Sequence, residues 1–537
     1  MLPNDMSQER LPSILNDVMG PVMRGPSSSH TAASWRIAHT AVQLLNDTLE
    51  SALVEMDRRG TWAANYREQG TAMGMEGGLL GIELTDERII RHEQIAGEAN
   101  ISIEYRIGDF ETDHTNTVRL TLKGSSGRKV LLIAVSTGGG MFEIRNYNGY
   151  PVKIRGDSYH LFITAGATYH PGILASVREL HGDRGWKRII PTTEADLIQL
   201  NSSGPFPGDL RARLAGLPGV QEVLPVDPVL PVLCGMGEGI PFRNLDSMLE
   251  FAGSDPYSLG RLGLMYESGR SGLPEEELTG KMKEIIRIIE SGIDKGLKGT
   301  EFRNRILHRQ SHLVDEAARD GKIFSGPLVN RIIAYSTALM EAKSAMEVIV
   351  AVPTAGACGV FGGTVRAFCD SNELQEEQKV LAYFAGGLIG VFFALGPGFS
   401  AEEHGCQVET GAASCMAAAA LVELSGGDFR QALGAASMAL QNMIGLVCDP
   451  VADRVEVPCL GKNVTGGMNA LAASTMVLSG FDPVIPLDQV ITTVQRVGRA
   501  LPSALCNTGK GGLAVTPRAR ELKEFLSRLQ KEPPEIH

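Results

Sequence analysis

Apolar residues recur along this chain in two rhythms, and the change from one to the other divides it. Over 101–107, 117–122 and 130–135 they alternate with polar residues, a period of two that predicts strands. The stretch 32–58 carries helical spacing and predicts a helix. Residues 11–151 therefore read as one α+β domain. Next come a strand at 159–165, a helix at 171–180, strands at 186–191 and 195–201, a helix at 209–217 and a strand at 221–226. That βαββαβ order predicts a ferredoxin-like unit. The passage 225–241 is rich in Pro and Gly, which favour turns and do not sustain a helix. Beyond it the pattern is helical, with Ala- and Met-rich stretches at 416–424 and 430–440 between Gly-rich loops. The expected fold is multidomain α+β: an α+β domain over 1–156, a ferredoxin-like domain over 157–230, a linker over 231–242 and a mainly α domain over 243–537.

Composition agrees with folding throughout. The 537 residues are 43% hydrophobic and 21% charged, near globular averages, and exceed what one ordinary core holds. A formal net charge of −12 repels a phosphate backbone or an anionic bilayer, and no basic block reverses it, so nucleic acid is not an expected partner. The N-terminus lacks the basic-then-apolar order of a secretion signal. The most apolar run, 381–396, is shorter than the roughly 20 residues of a membrane span and predicts a buried core helix. A cytoplasmic protein with no membrane partner is expected. Eight cysteines are too sparse for a disulfide framework, and all but Cys234 fall from Cys358 to Cys506. Such crowding hints at metal or redox chemistry, without any C-x-x-C pair.

Three kinds of loop carry candidate chemistry. Gly25-Pro26-Ser27-Ser28-Ser29-His30-Thr31 gathers hydroxyls and an imidazole before a helix, where free backbone N–H groups attract an anion such as a carboxylate; the same residues also serve as caps and turn formers. Gly138-Gly139-Gly140 follows a strand and permits close backbone approach, or merely a turn. Cys406, Cys448 and Cys459 sit beside Gly or Pro in His404-Gly405-Cys406-Gln407, Val447-Cys448-Asp449-Pro450 and Val457-Pro458-Cys459-Leu460. Thiolates on such loops can converge on one metal centre, whereas buried thiols pack as small hydrophobes. The residues alone leave both readings open.

These segments resemble the bacterial iron-sulfur L-serine dehydratases over nearly the whole chain. The Gly25–Thr31 loop, Asp113-His114-Thr115-Asn116-Thr117 and Gly138-Gly139-Gly140 resemble that family's β domain. Its α domain is matched by Pro353-Thr354-Ala355-Gly356-Ala357-Cys358-Gly359, Gly405-Cys406-Gln407, Gly445-Leu446-Val447-Cys448-Asp449-Pro450-Val451-Ala452 and Val455-Glu456-Val457-Pro458-Cys459. The resemblance implies a [4Fe-4S] cluster on Cys406, Cys448 and Cys459, with one iron open to act as Lewis acid on a hydroxyl. It implies dehydration and deamination of L-serine to pyruvate and ammonia; for that chemistry His30 is the candidate for the base or for a carboxylate contact. Substrate contacts are expected at Ser27, Ser28, Ser29, Thr31, Asn116, Thr117, Gly138, Gly139, Gly140, Thr354, Gly356 and Cys358. The ferredoxin-like unit takes the place of an ACT domain and makes a homodimer the expected assembly, although Thr168-Tyr169-His170-Pro171-Gly172 lacks the acidic or amide residue usual before Pro-Gly.

The chain also departs from the family. Gln69-Gly70-Thr71-Ala72 stands where His-Gly-Thr-Asp is usual, and Cys506-Asn507-Thr508-Gly509 stands where Arg-Glu-Thr-Gly is usual. A changed set of partners changes discrimination among substrates, so threonine, cysteine or another β-substituted acid is an alternative substrate. A non-catalytic amino-acid sensor is another alternative. So is a pyridoxal-phosphate dehydratase using Lys510 in its Gly-rich setting. Cys506 is a candidate fourth ligand; Cys234, Cys369 and Cys415 are expected in the core.

Overall fold

The computed structural model describes residues 10–182, 185, 187–192, 195–235, 239–324 and 326–529. The polar N-terminus before Arg10, Trp186 and linker residues 236–238 lie outside them. A short strand β1 (Val22–Met23) precedes six strands, β2 (Leu49–Asp57), β3 (Ser102–Gly108), β4 (Thr117–Gly124), β5 (Lys129–Gly138), β6 (Met141–Tyr147) and β7 (Tyr150–Ile154). These six form one sheet in the order β3-β2-β4-β5-β6-β7, with only β2 and β3 parallel.

Helical spacing over 32–58 misled at its second half. The helix Ala33–Leu45 stops at Asn46, which takes the left-handed cap conformation at φ 47°, and Leu49–Asp57 continues as β2. Its buried residues Leu49, Ala52, Val54 and Met56 face the helix-covered side, a strand pattern that the Asn46-Asp47 turn signal announces. The strands β6 and β7 were not read from the pattern either.

The second sheet joins β8 (Tyr159–Ala165), β9 (Lys187–Ile190), β10 (Asp196–Ser202) and β11 (Val220–Val226) in the order β11-β8-β10-β9. All its pairings are antiparallel. Helices His170–His181 and Gly208–Ala215 close one face over Ile163, Ile173, Ile198, Leu210 and Leu214.

From Leu245 onward the chain is helical apart from β12 (Ile349–Val350). The helix Thr410–Leu424 is buried on nearly every side, as an all-round apolar helix must be. Glu376–Leu395 is the apolar run read from the sequence. It is 20 residues long, longer than expected and long and apolar enough to cross a membrane, but 72% of its apolar window is buried inside the protein. The two halves of the chain meet where β1 pairs with β12 through Val22↔Val350 and Met23↔Ile349. The site described next lies on that seam.

Candidate active site and metal centre

Tight backbone geometry brings the cysteine loops together. Gly405 has φ 73°, and a Cβ there would stand 2.8 Å from the Leu446 carbonyl oxygen; only glycine lets the Cys406 turn lie against the segment 446–448. The Cys448 amide donates to the Leu505 carbonyl at 2.8 Å, and the Asn507 amide donates to the Cys448 carbonyl at 3.0 Å. Cys506 thereby lies opposite Cys448 in a short bridge. Between Cys448 and Cys459, Ala452 and Asp453 hold left-handed φ of 52° and 59°, a strained bend of the kind found where a loop must present side chains. Cys459 opens the helix Cys459–Leu478.

The Sγ atoms of Cys406 and Cys448 and a carboxylate oxygen of Glu409 lie within 4.8 Å of one another. Cys459 is not in that 4.8 Å group but is electrostatically coupled to it: burial, then Cys406, pushes its thiol up to about 12. A hydrogen bond to Cys406, with burial, raises the Cys448 thiol. Burial also raises Cys506, followed by Cys406 and Glu402. Lys462, one helical turn beyond Cys459, places Nζ 3.8 Å from Cys406 Sγ and donates to the Val447 carbonyl at 2.7 Å and Asp449 Oδ1 at 3.0 Å. Burial pulls the Lys462 ammonium down, but Cys406, Cys459 and Cys448 outweigh it and hold it above its ordinary value. The fully buried Lys343 donates to the Val455 carbonyl, and its charge works to lower the Cys459 thiol. Buried soft thiols costly to ionise alone, with two lysines beside them, fit a thiolate-bound metal centre: a metal supplies the charge that the thiolates lack. Glu409, pushed up to about 7 by burial and then by Glu402, is a further donor that the sequence reading did not single out.

The hydroxyl loop meets this cluster through Glu402. Ser28–Ala32 form a wide turn leading into Ala33–Leu45, and His30 is completely buried. Its Nδ1 lies 3.0 Å from Ser27 Oγ and 3.1 Å from Ser29 Oγ, and its Nε2 3.0 Å from Asn65 Oδ1. Ser29 donates to Glu402 Oε1 at 2.9 Å, and the same carboxylate oxygen stands 3.6 Å from His30 Nδ1. Ser400 donates to Glu402 Oε2 at 2.9 Å, and the Asn507 side-chain amide donates to Oε1 at 3.2 Å. Burial lowers the His30 imidazole, partly countered by Glu402 and then by Asn65.

Two of the family departures meet in space. The Gln69 side-chain amide donates to Asn507 Oδ1 at 2.9 Å, and the Asn507 amide donates back to Gln69 Oε1 at 3.1 Å. Both side chains are buried, so the exchanged residues form one neutral, mutually satisfied pair.

The other expected positions divide. Ser28 Oγ accepts from the Ala355 amide at 3.3 Å, tying the hydroxyl loop to the segment that holds Thr354, Gly356 and Cys358. A Cβ on Gly356 would meet Glu409 Oε1 at 3.4 Å, so this backbone lines the cluster. A Cβ on Gly138 would meet the Ser400 amide nitrogen at 2.9 Å, so the glycine run brings the first sheet against the Glu402 segment. Gly139 and Gly140 lie against Pro353 and Pro21. Thr31 points away, donating to the Gln69 carbonyl at 3.1 Å. Asn116 accepts from Thr61, and Thr117 donates to the His114 carbonyl at 2.7 Å; His114, to which the Asn116 main-chain amide also donates, places its Nε2 3.6 Å from Glu403 Oε1. Cys358 is 1% exposed at the start of its helix, its thiol raised to about 11 by burial. Cys369 and Cys415 are core residues, whereas Cys234, expected with them, is only half-buried. Glu402, Asn65 and Lys462 were not anticipated. For the first, the acidic pair immediately before His404-Gly405-Cys406 was a usable signal.

Residues 112–514 match the family described as Serine dehydratase alpha chain. The "Probable L-serine dehydratase, alpha chain" of Bacillus subtilis (strain 168) is 36% identical over 283 residues, 53% of this chain and 94% of that protein. The "L-serine dehydratase, alpha chain" of Peptoniphilus asaccharolyticus is 33% identical, over 49% of this chain and 91% of that protein. The "L-serine dehydratase" of Streptomyces coelicolor is 31% identical, over 51% of this chain and 61% of that protein.

Proposed function

The chain belongs to the serine dehydratase alpha chain family, and on that premise we propose that it is an L-serine ammonia-lyase, converting L-serine to pyruvate and ammonia. The observation carrying this reading is the convergence of Cys406 and Cys448, with Cys459 electrostatically coupled to them, on a seam that also holds the buried Ser27-Ser29-His30-Glu402 network. The cofactor we propose is a [4Fe-4S] cluster held by Cys406, Cys448 and Cys459. When bound it supplies a Lewis acid for the departing β-hydroxyl.

The residues around it supply the rest. Ser27, Ser28 and Ser29, at the start of a helix, hold the substrate carboxylate through the Ser28 hydroxyl, whose proton is uncommitted, and the local backbone field. His30 Nδ1 takes the α-proton, and Glu402 Oε1, 3.6 Å away, stabilises the imidazolium so formed. Burial of the imidazole excludes water from that transfer and keeps the ring neutral, hence able to accept. Loss of the hydroxyl leaves an enamine, whose imine tautomer hydrolyses to the 2-oxo acid and ammonia.

We read residues 157–230 as an ACT-like domain and propose a homodimer through it, in a cytoplasmic protein. Oxygen-free purification, quantitation of iron and sulfide, and a panel of β-hydroxy amino acids assayed for 2-oxo acid release test the function. Bound iron with pyruvate formed fastest from L-serine is expected. Iron-free protein, or iron-loaded protein inert to serine, overturns it. Sedimentation of the same preparation tests the dimer.

A further inference from the structure

We propose that Asn65 is a positioning residue that sets the tautomer of His30, with the proton on Nε2 and the lone pair on Nδ1 facing Ser27, Ser29 and Glu402. The inference deepens the reading of His30 as the proton acceptor, and rests on it for its consequence in turnover. The tautomer itself follows from hydrogen-bond inventory alone.

A chain of groups with fixed polarity establishes it. The Asn507 main-chain carbonyl can only accept, and the Asn65 side chain lies 3.3 Å from it, so the nearer atom is the amide nitrogen. That orientation turns Asn65 Oδ1, an obligate acceptor, toward His30 Nε2 at 3.0 Å. Nε2 must therefore carry a proton. On the other side, the Glu402 carboxylate only accepts, so Ser29 spends its single hydroxyl proton on Oε1. Ser27 has no such obligation, and at 3.0 Å its O–H donates to Nδ1. All of Ser27, Ser29, His30, Asn65 and Asn507 are buried, so water offers no substitute partner.

Two consequences follow. The proton-accepting atom is Nδ1, on the face shared with the Ser27 and Ser29 hydroxyls. The residue that fixes this is held by position 507, on the loop whose Cys506 lies opposite Cys448. Asn507 is a hub: its amide nitrogen bonds Cys448, its carbonyl bonds Asn65, and its side chain bonds Gln69 and Glu402. The geometry of the thiol loop thus reaches His30 from Asn507 by way of Asn65 and of Glu402.

Imidazole ¹⁵N NMR of histidine-labelled protein at pH 8, with the His30 signals assigned by loss in His30→Gln, reads the tautomer directly and does not depend on turnover. Wild type is expected to show a protonated Nε2 and a lone-pair Nδ1. Asn65→Asp keeps an acceptor against Nε2 and should keep that pattern; Asn65→Leu removes it and should shift the spectrum toward Nδ1–H or a mixture. In the loaded enzyme, Asn65→Leu should lower kcat at least tenfold with KM for serine within about twofold, and Asn65→Asp should recover part of the loss. A wild-type spectrum with Nδ1–H, or an unchanged tautomer in Asn65→Leu, overturns the proposal. If Asn65→Leu does not fold, wild type and Asn65→Asp still decide it. A correct spectrum in a protein that does not turn over serine leaves the tautomer assignment standing and overturns the function alone.

Discussion

Lys462 is the cation that touches the thiol cluster directly. Its Nζ lies 3.8 Å from Cys406 Sγ and is locked by Val447 and Asp449, so it stays charged and fixed where thiolate charge must accumulate. Removing it leaves the ligand set intact but raises the cost of deprotonating it, an outer-sphere change that typically lowers metal affinity by about 10–100-fold. Lys462→Met should therefore release iron to a chelator at correspondingly lower concentration while its circular dichroism stays that of wild type. Unchanged chelator resistance would show that the lysine serves only Asp449. Cys448→Ser, by contrast, should abolish iron binding, since it removes a ligand and not its surroundings; iron per chain after oxygen-free reconstitution is the measure. The thiols were singled out in the sequence because they sit beside Gly or Pro in loops, but only the family resemblance joined them into one ligand set. Lys462, Asn65 and Glu402 were not, because their meaning arises only through contacts such as Ser29 with Glu402, 373 residues apart in the chain.

At the level of elements, legibility followed turn chemistry. The runs behind β8, β10 and β11 were readable because each is a short run bounded by turn residues, whereas 32–58 was read as one helix because the Asn46-Asp47 break was overlooked. The four-stranded sheet also carries a pH-sensitive group. His160 on β8 is buried, with Nδ1 3.3 Å from Gln199 Nε2 and Nε2 3.4 Å from Ser158 Oγ, and burial lowers it to about 4 from 6.5, against a smaller opposing effect of Asp157. Above pH 6.5 neither the folded nor the unfolded form holds a proton there, and the contribution to stability is complete. As pH falls from 6.5 to 4 the unfolded chain takes a proton that the folded one refuses, so stability is lost, on the order of 3 kcal/mol over that window. His160→Gln should flatten the acid side of the stability curve by that amount, read as the difference between urea unfolding free energies at pH 7 and pH 4. Parallel curves for variant and wild type would mean that the imidazole is not what the acid attacks.

For the whole molecule, the decisive feature is that the site belongs to neither half of the chain alone, so catalysis depends on whatever holds the halves in register. Residues 10–17 act as a strap across them. Arg10 binds Asp17 at 2.7 Å and Asp157 at 2.6 Å, while Glu267 of the helical half accepts from Ser13 Oγ and the Ile14 amide, both at 2.7 Å, and from Arg270 at 2.8 Å. Glu267 and Arg270 are 0% and 1% exposed, so the pair cannot be exchanged for water. Glu267→Gln leaves the Arg270 guanidinium buried without its counter-charge, a loss that typically costs about 3–5 kcal/mol. The strap should also loosen, because the carboxylate is what ties Ser13 and Ile14 down. Denaturant unfolding should show the stability loss, and hydrogen exchange should show the amides of 13–18 opening before those of the helix Thr410–Leu424. Adding Arg270→Met removes the uncompensated cation and should restore part of the stability without restoring protection at Ser13 and Ile14. That separation matters: if the double variant regained both, the ion pair would be stabilising only its own helix, and the register of the two halves would have to be set by the β1–β12 pairing and the Glu402 contacts instead.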